Sequence, residues 1–173
     1  MAAAEALHGS VECLVNNAGI ADARPFDLVD EAGFTREIDT NLKGVFVCTK
    51  AVLPGMRRRN AGTIINISSI SDRKTAPVAL GYTATKHAVR AFSESLREAE
   101  AKNGVRVINV APAYVRTNIH AGMHISFEEY RTALGNPDFM TAEQLADIVL
   151  FCWKQPPEIC IRDIVVAPTR TTF

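Results

Sequence analysis

The chain has 173 residues, 47% hydrophobic and 22% charged, the make-up of an ordinary globular protein forming one domain over residues 1–173. Nineteen Lys and Arg balance nineteen Asp and Glu, so nothing electrostatic favours a nucleic-acid partner or an acidic membrane surface. A chain of this size buries roughly 70% of the surface that its unfolded form exposes, so it needs neither disulfides nor a structural metal to fold.

The opening Met1 to His8 has no basic start, and Glu5 interrupts its short apolar stretch, so it does not read as a secretory signal; the expected location is cytoplasmic. Val11 to Val15 is an apolar run closed by Asn16-Asn17-Ala18-Gly19, which predicts a buried strand ending in a turn. Ile38, Leu42, Val45, Phe46, Thr49 and Leu53 then follow the spacing of one helix face. That helix closes near Arg57-Arg58-Arg59, a basic end that complements the helix dipole. Thr63 to Ile67 is short and rich in β-branched residues and delivers Ser68-Ser69 at its carboxyl end.

Gly81 to Lys102 predicts a helix stopped by Asn103-Gly104, and Val105 to Val110 a strand that ends at Ala111-Pro112, where proline has no N–H to donate. Thr141-Ala142-Glu143-Gln144 is a capping box opening a helix with Leu145, Ile148, Val149 and Cys152 on its buried face. Ile159 to Ala167 supplies the last strand. Strands alternating with helices predict an α/β fold: a Rossmann-like, doubly wound parallel sheet, which binds ligands at the carboxyl ends of its strands. The densest apolar run, Ile148 to Trp153, falls far short of the ~18 residues of a membrane span. Cys13, Cys48, Cys152 and Cys160 form no C-x-x-C pair and read as reduced core thiols.

Tyr82 and Lys86 are four residues apart on one helix face, where a cation can act on a phenol and, with a positively charged cofactor ring, favour its phenolate. Ser69, thirteen residues earlier at a strand end, can place a hydroxyl beside that phenol. Taken alone, a Tyr-x-x-x-Lys pair is more often a solvated helix pair. The ordered set is more specific: Asn16-Asn17-Ala18-Gly19 after a strand, Asn41-Leu42-Lys43-Gly44, Ile67-Ser68-Ser69, Tyr82-Thr83-Ala84-Thr85-Lys86 and Pro112-Ala113-Tyr114-Val115-Arg116-Thr117. This resembles the short-chain dehydrogenase/reductase family, with specific motifs from about residue 10 to about residue 120.

The resemblance implies an enzyme that moves a hydride reversibly between NAD or NADP and an alcohol or ketone. Its implied catalytic residues are Asn41, Ser69, Tyr82 and Lys86. Tyr82 would move the proton, Lys86 would lower its pKa and hold the nicotinamide ribose, and Ser69 would bind the substrate oxygen. Asn41 would hold a water linking Lys86 to solvent. Asn17, Ala18, Gly19, Pro112 and Thr117 would line the cofactor side together with Tyr82 and Lys86, Thr117 contacting the carboxamide. Asn17 and Asn41 equally fit a bracing role, because buried polar groups must find partners in any case. No metal is implied, and the family's packing of long helices between subunits implies a homo-oligomer, although packing on the sheet explains the apolar spacing of these helices equally well.

Two features depart from the family. Ala113 stands where glycine is usual, adding a methyl where backbone approaches the ligand. More importantly, no two of the ten glycines are closer than seven residues, so the glycine-rich phosphate turn that follows the family's first strand is not in this chain, and because Val11 to Val15 matches the family's fourth strand, the first three strands and their helices are expected to be absent. The expected consequences are an unpaired apolar edge at Val11 to Val15, weak dinucleotide binding by the 173 residues alone, and no residue here that would select NAD over NADP. The alternative reading is a shortened, non-catalytic member acting through association with full-length relatives.

His120, His124 and Glu128 fall at four-residue steps, but Gly122 interrupts that helix, so they read as part of a substrate-covering segment rather than as metal ligands. Pro156 to Arg170 resembles the tail of the family branch acting on 3-hydroxy acids and similar small substrates.

Overall fold

A computed structural model of the chain describes residues 2–123 and 125–171. Four strands form one parallel sheet: β1 (Cys13–Asn16), β2 (Gly62–Ile67), β3 (Val105–Pro112) and β4 (Asp163–Val166), adjacent in that order. Six helices accompany them: α1 (Ala2–His8), α2 (Glu31–Ile38), α3 (Gly44–Arg59), α4 (Leu80–Glu100), α5 (Phe127–Ala133) and α6 (Ala142–Trp153). The doubly wound arrangement follows from the strands. In β2 and β3 successive side chains point to opposite faces, and both faces are apolar. Leu14, Ile64, Val105 and Val107 pack with Val52 and Met56 of α3 on one face. Ile65, Ile67, Ile108 and Val110 pack with Cys152 of α6 on the other.

Several boundaries differ from the sequence expectation. The predicted helix from Ile38 to Arg57 is two helices, α2 and α3, joined by one π-helical turn over Asp39–Lys43. Ladder pairing passes through Pro112, opposite Val166, instead of stopping before it. Asn109 and Ala113 donate toward the β4 side, to Arg162 and Val166, so Pro112 faces the β2 side. There the ladder has already ended at Ile67 and Val110, and proline's missing N–H costs nothing. The last strand covers only Asp163–Val166. Ile159 turns back to bond the carbonyl of Pro156, while the carbonyls of Ile159 and Arg162 accept from Arg106 and Arg97.

Arg57 and Arg59 do more than complement a dipole. Arg57 is ion-paired with the buried Glu100, and Arg59 donates to the carbonyl of Val11. The capping box at Thr141 and Gln144 is formed by both of its hydrogen bonds. β1 is an edge strand, paired on one side with β2, and its Val15 is 42% exposed.

The loop entering β3 depends on one glycine. Gly104 has φ of +64°, and an added Cβ would overlap the carbonyl of Asn60. Gly104→Ala is therefore expected to cost about 2–3 kcal/mol, combining left-handed strain with a backbone clash. Chemical denaturation of the two proteins measures it.

Candidate active site

The carboxyl ends of β2 and β3 open into a cleft of about 440 Å³. Ser68 at the end of β2 donates its N–H to Val110 (2.7 Å), and the chain then leaves the sheet at Ser69. Ser69 caps the short turn Ile70–Asp72, its hydroxyl accepting from the N–H of Ser71 at 3.1 Å. Tyr82 lies in the first turn of α4, with Lys86 one turn further on the same face. Both line the cleft together with Ser69.

Lys86 is 4% exposed and donates to the carbonyl of Ile67 at 2.9 Å. Burial pulls its ammonium down to about 8, opposed by the charge of Asp72. Its Nζ lies 5.5 Å from the Tyr82 ring centroid, over the ring. The Tyr82 phenol is pushed up to about 12, because packing around it disfavours the phenolate more than its hydrogen bond with Ser69 favours it. The expectation that Lys86 lowers this pKa thus meets a stronger opposing effect in the protein by itself. Desolvation governs, and the phenol stays protonated at neutral pH.

Asn41 lies in the π-helical turn and is 1% exposed. Its amide donates to the carbonyl of Ile20 (2.8 Å) and to Thr85 Oγ1 (3.1 Å), and its oxygen accepts from the N–H of Ile20 (2.8 Å). Both amide hydrogens are thus committed to tying the segment after β1 to α3 and α4. The bracing role weighed from the sequence has direct geometric support. The same tie brings the backbone strap onto the site: a Cβ added at Gly19 would lie 3.5 Å from both Asn41 Oδ1 and Lys86 Nζ.

Among the residues expected to face a cofactor, Asn17, Gly19, Tyr82, Lys86, Pro112 and Thr117 line the cleft, as does Ala113. Ala18 is exposed and does not line it, and Asn41 sits behind the wall. The donor set suits the nicotinamide end of a dinucleotide: backbone approach at Gly19, a lysine ammonium, and a threonine hydroxyl at the mouth. His120 stacks on Tyr130 and Glu128 pairs with Arg131, while His124 lies outside the described residues.

Sequence reading missed a polar row across the sheet. Asn16, Asn66, Asn109 and Asp163 occupy successive register positions on four adjacent strands. Asn16 donates to Asn66 (2.8 Å), Asn66 to Ser93 of α4 (2.8 Å), and Asn109 to both Asp72 and Asp163 (2.9 Å each). Arg73 bridges the same two carboxylates. This row separates the apolar core from the cleft and fixes the turn that carries Ser69. Asn16, Asn66 and Asn109 each follow two apolar strand residues directly, and that was the available signal.

Residues 1–125 match the family model described as short chain dehydrogenase. The chain belongs to the short-chain dehydrogenase family. A chicken protein named dehydrogenase/reductase SDR family member 11 is 34% identical over 96% of the chain and 68% of its own length. A probable NADP-dependent dehydrogenase of Haemophilus influenzae is 36% identical over 95% of the chain and 66% of its own length. The chain therefore spans about two thirds of the length of these relatives. Among solved structures, the closed form of a serine dehydrogenase complexed with NADP+ superimposes with a TM-score of 0.87 at 30% identity, over 95% of this chain and 68% of that one. A 3-ketoacyl-(acyl-carrier-protein) reductase of Brucella melitensis complexed with NADH gives 0.85 at 26% identity, over 98% and 71%. The four-stranded sheet is thus the Rossmann-like sheet of short-chain dehydrogenases. Among the described residues no helix is long and apolar enough to cross a membrane.

Proposed function

We propose that this chain carries the catalytic half of an NAD(P)-dependent short-chain dehydrogenase/reductase that interconverts an alcohol and a carbonyl compound. The observation that carries the reading is the convergence of Ser69, Tyr82 and Lys86 on one cleft at the carboxyl ends of the strands. Solved relatives of the same fold, described as complexed with NADP+ or NADH, support the choice of cofactor.

When bound, the nicotinamide would supply or accept the hydride; Asn17, Gly19, Lys86, Pro112 and Thr117 would hold its nicotinamide end. The protein's own residues handle the oxygen and the proton. In reduction, the Ser69 and Tyr82 hydroxyls bind the substrate carbonyl oxygen, and Tyr82 gives that oxygen its proton as negative charge develops there. Lys86, held by the carbonyl of Ile67 with its Nζ 5.5 Å from the Tyr82 ring centroid, stabilises the resulting phenolate. With its pKa pushed up to about 12, the phenol carries its proton at neutral pH as a weaker acid than a free tyrosine, and the protonated form is the one from which carbonyl reduction starts. Oxidation would need the positive charge of the oxidised nicotinamide ring to lower the phenol's pKa.

Incubating the chain with NADPH deuterated at the transferred position and a ketone, then measuring deuterium in the alcohol by mass spectrometry, tests the reading even at slow turnover. Deuterated alcohol is the expected product; its absence, with the non-catalytic association reading then favoured, overturns it.

Affinity is a separate matter. The glycine-rich phosphate turn is not among these 173 residues. NADPH and reduced nicotinamide mononucleotide are accordingly expected to bind the chain alike, with a dissociation constant in the millimolar range, near about −4 kcal/mol. Fluorescence titration checks this, and micromolar NADPH binding would contradict it.

A further inference from the structure

The chain contains three tyrosines, and all three line the same cleft. They arrive from separate places: Tyr82 from α4, Tyr114 from the segment leaving β3, and Tyr130 from α5. The proton-transfer role proposed above uses only Tyr82.

Tyr114 and Tyr130 are held by a bracket of rings. Phe139 lies 5.6 Å from Tyr114 and 6.2 Å from Tyr130, centroid to centroid. Phe127 meets Phe139 edge-on at 5.1 Å, and His120 stacks on Tyr130 at 6.2 Å. Such packing fixes the ring positions and leaves the hydroxyls as the only polar atoms these two side chains offer the cleft. No hydrogen bond among the described residues uses either hydroxyl. The three phenols also sense one another: Tyr114 opposes ionisation of Tyr130, and Tyr130 opposes ionisation of Tyr82. Two further phenol side chains thus line the cleft that holds the reacting one.

The remaining lining narrows what they can bind. Ile119, Met123, Leu134 and Val115 form an apolar wall; among the described residues no acidic side chain lines the cleft, while Lys74 and Lys86 do. A phenol donates and accepts, so it suits a neutral hydroxyl or carbonyl oxygen.

We propose that Tyr130, assisted by Tyr114, is a second oxygen-binding point beside the reacting centre, and that the substrate is a carbonyl compound or alcohol with an apolar body and a second oxygen near the first. The proposal rests on reading Ser69 and Tyr82 as the site that binds the reacting oxygen. The second oxygen orients the substrate, and its loss leaves two phenols without partners in a narrow cleft. Tyr130 is a specificity-determining residue that takes no part in proton transfer.

Two probes of one skeleton test this: 1-phenylpropan-1-one and its 2-hydroxy derivative. Their binding to the 173-residue chain is followed by ligand-observed NMR titration, without cofactor. The hydroxyketone is expected to bind about tenfold more tightly than the plain ketone, the size of one added net hydrogen bond. Tyr130→Phe should bring the two to parity within about twofold, and Tyr114→Phe should narrow the gap. Tyr82→Phe should leave the ratio unchanged, because it faces the oxygen common to both probes. Equal binding to the unmodified chain, no detectable binding of either ketone, or an unchanged preference in both Tyr130→Phe and Tyr114→Phe overturns the proposal. A chain that shows the preference without deuterium transfer would overturn the hydride-transfer reading and leave this one standing. Transfer without the preference does the reverse.

Discussion

Tyr82→Phe is expected to lower the rate of deuterium transfer from labelled NADPH by about 10³-fold or more, at the upper end of what a positioned acid contributes. The substitution removes one oxygen. That oxygen interacts with the Ser69 side chain and shapes no backbone hydrogen bond, so the helix cap at Ala79 and the tie between Asn41 and Thr85 are untouched. A thermal midpoint within a degree or two of the parent's, read by circular dichroism, would show that the fold is intact; a shift of that size corresponds to well under 1 kcal/mol. Ser69→Ala is the comparison. It removes a donor to the substrate oxygen but leaves the proton source, so its expected loss is about 10²-fold. It also deletes the acceptor for the N–H of Ser71, and some loss of stability should accompany it. A Tyr82→Phe protein that turned over within about tenfold of the parent would remove the central element of the proposed chemistry.

Much of this site was legible because its residues sit where local rules are strong. Ser69 follows a short β-branched strand that could only be buried, and Tyr82 and Lys86 share a helix face by simple periodicity. The parallel sheet followed from alternation of strand and helix. Other features depend on partners distant in sequence. Asn16, Asn66 and Asn109 look like isolated polar interruptions until β1, β2 and β3 stand side by side in register. Asp72 looks like a surface acid next to an arginine until Asn109 meets it from 37 residues away. The π-helical turn around Asn41 could not be read from a pattern that fits one continuous helix, since it is the bonds to Ile20 and Thr85 that hold the side chain inward there. Tyr114 and Tyr130 were in plain view, but their shared cleft is created by the fold of residues 114–139 back over the strand ends. Spacing reveals a neighbouring charge, whereas the desolvation that raises the phenol's pKa in the unliganded chain depends on everything packed around the group.

Lys86→Met is expected to abolish measurable transfer and, at the same time, to make the unliganded protein more stable at pH 7. Burial holds the lysine at about 8, against an ordinary value of ~10.4, which corresponds to roughly 3 kcal/mol against the charged form. Methionine fills a similar volume without a charge. It forfeits the bond to the Ile67 carbonyl, a loss of about 1–2 kcal/mol, so the net gain should be about 1–2 kcal/mol. The pH dependence separates this from better packing. Between about pH 8 and pH 10 the unfolded chain keeps its lysine proton while the folded chain has released it. The unfolded state then binds more protons, and stability of the parent rises with pH. Lys86→Met lacks that rise, so its advantage shrinks and then reverses as pH climbs through this window. Tyr82, pushed up to about 12, acts in the opposite sense only above about pH 10, where the unfolded phenol ionises and the folded one does not, and both proteins share that fall. Denaturant titrations at pH 7, 8.5 and 10 measure the difference. An advantage independent of pH would mean that the cost of Lys86 is steric, whereas its disappearance near pH 10 would show that the site keeps a buried charge at the expense of stability, a charge whose use is to stabilise the phenolate left when Tyr82 gives up its proton.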